Sequence, residues 1–126
     1  MTENTRRQTS AFTLVEIMIV VAIIGLLTVL ALPSFIKARK QSQGRRILND
    51  ARQMDAAVDQ WAIEYSKKDG DTVDTVAAAT YLKTSWKSND ILGHAFIVST
   101  VGTSQVDIAT TTKSALSGVG IDWSTY

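Results

Sequence analysis

The residue that most asks for a chemical explanation is Glu16. It is the only charge in the run Phe12 to Leu32, FTLVEIMIVVAIIGLLTVLAL. A carboxylate at the centre of a membrane helix costs about 2.5–3.5 kcal/mol on insertion scales. Near a helix start the cost is smaller, because the exposed N–H groups of the first turn favour negative charge. A plain anchor still gains nothing from carrying it. Such a carboxylate waits for a cation, and the apolar run supplies none. A free amine created at Phe12 by cleavage is one source. It would lie about one turn from its own Glu16, or within reach of the Glu16 of a neighbouring chain.

The remaining candidates are weaker. Asp69, Asp71 and Asp74 sit in the loop KKDGDTVD (Lys67 to Asp74) and have a superficial calcium-loop look. Their spacing is not that of an EF-hand. Turn chemistry is the better account, with Asp71 or Thr72 capping the helix that follows. We therefore expect no cofactor, with calcium as the lesser alternative. His94 is the only histidine and has no partner motif, so it is read as structural or exposed. The chain has no cysteine, which excludes thiolate chemistry and disulfides. No Ser/His/Asp arrangement, phosphate loop or carboxylate pair stands out, and no enzyme is expected. A net charge of +1 gives no support to nucleic-acid binding.

The elements that must position Glu16 come next. Residues 12–32 as a helix measure roughly 31 Å, about the thickness of a bilayer's hydrocarbon core. That is too long for an ordinary secretory signal, and Leu32-Pro33-Ser34 is not a small-residue cleavage pattern. Residues 1–11, MTENTRRQTSA, read as a polar leader with Arg6 and Arg7. Gly25, Thr28 and Pro33 mark a weak zone in the span: a Pro kink at the membrane surface, or a stretch that loosens on packing.

Ala11-Phe12-Thr13-Leu14-Val15-Glu16 and the apolar run after it resemble the N-terminal cleavage and methylation motif of type IV pilins and type II secretion pseudopilins. The resemblance covers about Arg6 to Phe35. It implies that a prepilin peptidase cuts between Ala11 and Phe12 on the cytoplasmic side, and that Phe12 becomes N-methylated. It implies that Glu16 aligns an incoming subunit with a neighbour's terminal amine. Pro33 falls where the family often has Pro. Before the cut the family usually has Gly, where this chain has Ala11. The partners implied are further copies of the chain, the peptidase, an inner-membrane assembly platform and, before assembly, the lipid bilayer. The location implied is the bacterial inner membrane as a single-pass precursor with its head outside the cytoplasm, then an extracellular or periplasmic filament. Some major pseudopilins bind calcium in their heads, but their ligands do not align here.

Charge counting opposes this topology. Two basic residues precede the span and five follow it: Lys37, Arg39, Lys40, Arg45 and Arg46. The positive-inside rule alone would leave the head in the cytoplasm. We give the motif priority because it accounts for Glu16. The basic block followed by Asp50, Asp55, Asp59 and Glu64 is a lengthwise asymmetry. It fits a solvated face with pairs such as Arg46–Asp50, contact with lipid headgroups, or staggered subunits.

Ser34 to Ser66 is expected to continue the helix, giving some 54 residues or roughly 80 Å. Ile47, Leu48, Ala51, Met54, Val58, Trp61, Ala62 and Tyr65 recur at helical spacing and should form a core stripe. Asp74 to Lys83 reads as a short helix and Thr84 to Asp90 as a linker. Ile91–Val101 and Gln105–Lys113 read as strands joined by a Gly102-Thr103-Ser104 turn, and Ser114–Tyr126 as a last strand or closing tail.

The expected fold is therefore α+β and pilin-like, a long N-terminal helix packed against a small antiparallel sheet. The expected organisation is a leader (1–11), a transmembrane and assembly half-helix (12–33), an amphipathic half (34–66) and a small head (67–126). Two functions fit: a subunit polymerising into a pilus or secretion pseudopilus, or a monomeric membrane-anchored binding module.

Overall fold

The computed structural model describes residues 11–126, so the leader residues 1–10, with Arg6 and Arg7, lie outside the described residues. The chain divides into two compact units, Met1–Ile36 and Lys37–Tyr126. The first helix, α1, is Leu14–Glu64.

In the first unit, every described residue is exposed. Its Leu, Met and Ala residues lose little rotamer freedom as helix, while the β-branched Ile and Val lose more. The helix is continuous through Gly25, Thr28 and Pro33. The Thr28 hydroxyl donates to the Ile24 carbonyl at 2.7 Å, the back-bonding that lets Thr sit mid-helix. Pro33 has no N–H to give Val29.

In the second unit, α1 buries Gly44, Ile47, Asp50, Ala51, Met54, Ala57, Val58, Trp61 and Ala62. These positions recur every three or four residues and form one stripe. Tyr65 corrects the expected stripe, because it is 59% exposed. The helix ends one residue before it. Ser66 takes the left-handed conformation (φ 51°), Lys67 N–H donates to the Ala62 carbonyl and Ser66 N–H to the Ile63 carbonyl. That is a Schellman stop built on Ser instead of Gly.

The short helix α2 (Thr75–Ala78) continues as a single tight turn, Ala79–Tyr81. Its cap is Asp74, whose carboxylate accepts from Val76 and Ala77 N–H, and not the expected Asp71 or Thr72. Asp71 is engaged one turn earlier, accepting from Lys68 N–H at 2.9 Å.

The strands are far shorter than expected. β1 (Ile97–Val98) and β2 (Val106–Asp107) pair antiparallel, Ile97 opposite Asp107 and Val98 opposite Val106. Ile91–Ala95 is a turn instead. Asp90 accepts from both Leu92 and His94 N–H, and Gly93 takes φ 89° there, which few other residues adopt. The hairpin loop is also longer than Gly102-Thr103-Ser104, because Ser99 N–H still donates to the Gln105 carbonyl but Thr100 and Val101 leave the pairing. Thr100 bridges to Thr72 and Val101 N–H donates to the Asp71 carbonyl. Thr110–Ala115 is a helix, α3, and not the end of a strand. A β-branched threonine run favours extended backbone locally, but burial of Thr112 and Leu116 on one side of a helical turn outweighs it. The tail after α3 closes over the core without forming a strand, burying Leu116 and Val119.

The core joins the α1 stripe to Ala78, Phe96, Val101, Val106, Ile108, Leu116 and Val119. This is the α+β, pilin-like arrangement of a long helix and a small antiparallel sheet. Two polar clamps fix it. Buried Gln105 donates from Nε2 to Asp59 at 2.7 Å, and its N–H to Asp55 at 3.1 Å. Asp50, expected to pair with Arg46, instead accepts from Lys87 at 2.6 Å.

Candidate processing and assembly site

Ala11 and Phe12 precede the helix, both exposed, with the Phe12 side chain 84% accessible. Thr13 caps α1. Its N–H donates to Glu16 Oε2 at 2.7 Å, and Glu16 N–H donates to Thr13 Oγ1 at 3.3 Å. This reciprocal pair is a capping box of the form T-x-x-E. It satisfies two backbone donors that a helix start leaves over. Sequence reasoning identified Glu16 but missed the box, although Thr13 at the right spacing was its signal.

The box explains how the carboxylate is held. Thr13 N–H is an amide before and after any cut between Ala11 and Phe12, so the bond does not depend on processing. The second carboxylate oxygen accepts no other bond among the described residues. The carboxylate is thus fixed in direction and, among the described residues, has one oxygen without a partner. Beyond it, the apolar side chains from Leu14 to Ile36 are exposed on all sides. The helix is long and apolar enough to cross a membrane, with none of the apolar window buried.

Gly44 is a second residue that sequence reasoning missed. It lies inside α1, where glycine costs about 1 kcal/mol against alanine. A Cβ there would stand 1.9 Å from Ile121 Cδ1. The glycine lets the closing tail lie directly on the helix.

His94, Asp71 and Asp74 each have a structural partner. Thr112 donates its hydroxyl to Asp90 Oδ2, and its oxygen accepts from His94 Nδ1 at 2.9 Å. Because that hydroxyl proton goes to Asp90, the Nδ1 of His94 carries the hydrogen. This Asp–Thr–His chain looks like a catalytic triad, but Thr112 is fully buried and its proton points to the carboxylate. It binds α3 to the turn at Asp90. Asp71 and Asp74 serve a turn and a cap, and no cluster of three or more metal-binding side chains occurs among the described residues.

Two phenols and two carboxylates have shifted proton affinities. Tyr81 is pushed up to about 12, chiefly by its hydrogen bond to Glu64. Burial raises Tyr126 and, despite the N–H of Gln105, Asp55. The backbone N–H of Ser124 lowers Asp122.

Comparison with known proteins addresses the same N-terminal region. The family model described as the prokaryotic N-terminal methylation motif matches residues 6–32. A type IV major fimbrial protein FimA of Dichelobacter nodosus is 40% identical over 58 residues, 46% of this chain and 36% of that protein. A second protein of that name and organism is 44% identical over 48 residues, 38% of this chain and 31% of the relative. The chain thus spans about a third of the length of the curated relatives it matches. No solved structure matches it. Its first relative aligns over more residues than the motif alone contains. The likeness to type IV major fimbrial proteins thus covers the methylation motif in residues 6–32 and extends beyond it.

Proposed function

We propose that the chain is a structural subunit of a type IV pilus, made as a membrane precursor and assembled through α1. The leader, residues 1–11, is removed by prepilin peptidase between Ala11 and Phe12, and Phe12 is N-methylated. Phe12 to Pro33 holds the precursor in the inner membrane with the head outside the cytoplasm. An inner-membrane platform then moves subunits from lipid into an extracellular filament. The reading needs no cofactor and no catalytic group.

One observation carries it: a carboxylate held by its own helix cap, with one oxygen unpartnered among the described residues, at the start of a helix apolar on every side. In lipid such a surface is solvated by acyl chains. In a filament the same surface packs against copies of itself, and Glu16 meets the amine of a neighbour's Phe12. That pair sets the axial register and leaves neither charge unpaired in an apolar core. Gly25, Thr28 and Pro33 lie where helix cost is highest, and we assign them to the packing adjustment. The names of the relatives favour the pilus. A secretion pseudopilus would use the same residues for the same steps.

The test is immunogold electron microscopy of material sheared from producing cells, with antibody raised to the head. Filaments labelled along their length are expected. Labelled chain confined to the membrane fraction, with no filaments under conditions of full assembly, would instead make it a monomeric anchored module.

A further inference from the structure

Between Glu16 and Asp50 the chain has no acidic residue, and it has five cations: Lys37, Arg39, Lys40, Arg45 and Arg46. All five side chains are exposed. None makes an ion pair among the described residues, where the bridges are Lys87–Asp50, His94–Asp90 and Lys113–Asp107. Asp50, the acid one turn after Arg46, is taken by Lys87 at 2.6 Å. The block's charge is therefore uncompensated by its own helix.

Its angular distribution says what it fits. At 3.6 residues per turn, with Lys37 at zero, Arg45 falls at about 80°, Arg46 at about 180°, Arg39 at about 200° and Lys40 at about 300°. No sector wider than about 100° lacks a cation. A docking partner approaches one face of a helix, and charges on the opposite face then contribute nothing. A surface that surrounds the helix uses all of them. The membrane is such a surface. Lys37 follows Leu32 by five residues, so even a fully extended chain could not carry it more than about 18 Å from the end of the apolar run. Long basic side chains shorten that interval by snorkelling towards the interface.

We propose that Lys37, Arg39, Lys40, Arg45 and Arg46 form a collar that binds anionic phospholipid headgroups where the precursor leaves the membrane. This rests on the proposed function, which makes Phe12 to Pro33 a span. Arg guanidinium groups grip phosphodiester oxygens with paired N–H donors, and Lys adds point charge. The collar gives the basic flank a task on the head side, where the rule for membrane topology would not place it. It also fixes the depth of the span, so that Glu16 is held at the opposite boundary until extraction.

The test uses the full chain in bilayer nanodiscs of phosphatidylcholine with one quarter phosphatidylglycerol. Native mass spectrometry counts the lipids each chain retains. The wild type is expected to retain phosphatidylglycerol over phosphatidylcholine by at least tenfold. Each neutralised charge should lower that preference by about fivefold, so that K37Q/R39Q/K40Q/R45Q/R46Q abolishes it. R39K/R45K/R46K, which keeps the charge, should retain it. An unchanged urea midpoint, read by tryptophan fluorescence, shows that the variants are folded. Equal retention of both lipids by the wild type overturns the collar alone. So does R45E/R46E that loses chain-to-chain crosslinks in pure phosphatidylcholine without changing lipid retention, which would assign the block to contacts between copies. A wild-type chain stripped from the same bilayers by alkaline carbonate does not span, and overturns both the collar and the proposed function.

Discussion

Glu16 has two tasks in this account, and a series of substitutions separates them. In the single chain its carboxylate caps α1 by accepting from Thr13 N–H at 2.7 Å. In the filament the same group is proposed to meet a neighbour's amine. Glu16→Gln keeps an acceptor, and Gln suits a capping box as well as Glu. It loses the charge. Thr13→Ala does the reverse, removing the weaker 3.3 Å arm and leaving the charge in place. Loss of a Thr cap typically costs about 1 kcal/mol, or roughly fivefold in the opening of the first turn. In micelles, amide hydrogen exchange of residues 16 and 17 should therefore speed up about fivefold in Thr13→Ala. It should change less than twofold in Glu16→Gln. Filament yield, measured by shearing and sedimentation, should follow the opposite order. Glu16→Gln loses filaments, Thr13→Ala keeps most of them, and Glu16→Ala loses both filaments and protection. Wild-type filament yield from Glu16→Gln would refute the charge pairing. Loss of filaments in Thr13→Ala alone would show that assembly reads the helix cap.

Three further outcomes concern the head, each read from urea unfolding of the full chain in micelles by tryptophan fluorescence. Thr112→Val removes the hydroxyl that serves Asp90, whose side chain is 2% exposed, and should cost about 2 kcal/mol; Thr112→Ser keeps it and should cost about 1 kcal/mol. Gly44→Ala gains helix propensity but drives a Cβ onto Ile121 Cδ1, with a net loss of about 1 kcal/mol that Gly44→Ala/Ile121→Val recovers. Asp55 binds its proton more tightly folded than unfolded, because burial raises it above the ordinary 3.8. Its contribution is therefore fully present below that pH and lost as pH rises through the folded value. Asp55→Asn should then stabilise the head at pH 7, and the gain should vanish at low pH. A gain that persists in acid would contradict the burial argument.

Much of α1 was legible because its signals are repetitive. The stripe from Ile47 to Ala62 emerged from spacing alone, and the structure buries it. Tyr65 fell outside because a single left-handed Ser66 stops the helix, and Ser carries no strong stop signal. The head was much less legible. Its strands contract to two residues each because Asp90 folds Ile91–Ala95 into a turn through side-chain bonds. Asp71 and Val101 likewise pull the hairpin loop open. Neither the local side-chain bonds of Asp90 nor the longer-range bond from Val101 to Asp71 leaves a periodicity to read. Thr110–Ala115 is helical because Thr112 is fixed from a distance of 22 residues by Asp90. At the candidate site, Glu16 stood out as a lone charge. Thr13 did not, although its spacing from Glu16 held the cap in plain view. Gly44 was silent because an interior glycine marks a close approach only once its neighbour is known.

The central claim is that Glu16 waits for an amine that does not exist until the chain is cut. The most direct measurement is mass spectrometry of the chain isolated from its native envelope. The account predicts a terminus at N-methylated Phe12 in the filament fraction, with Ala11 absent. An assembled chain that retains Ala11 on Phe12 would contradict it, because Glu16 would then have no terminal amine at Phe12 to meet.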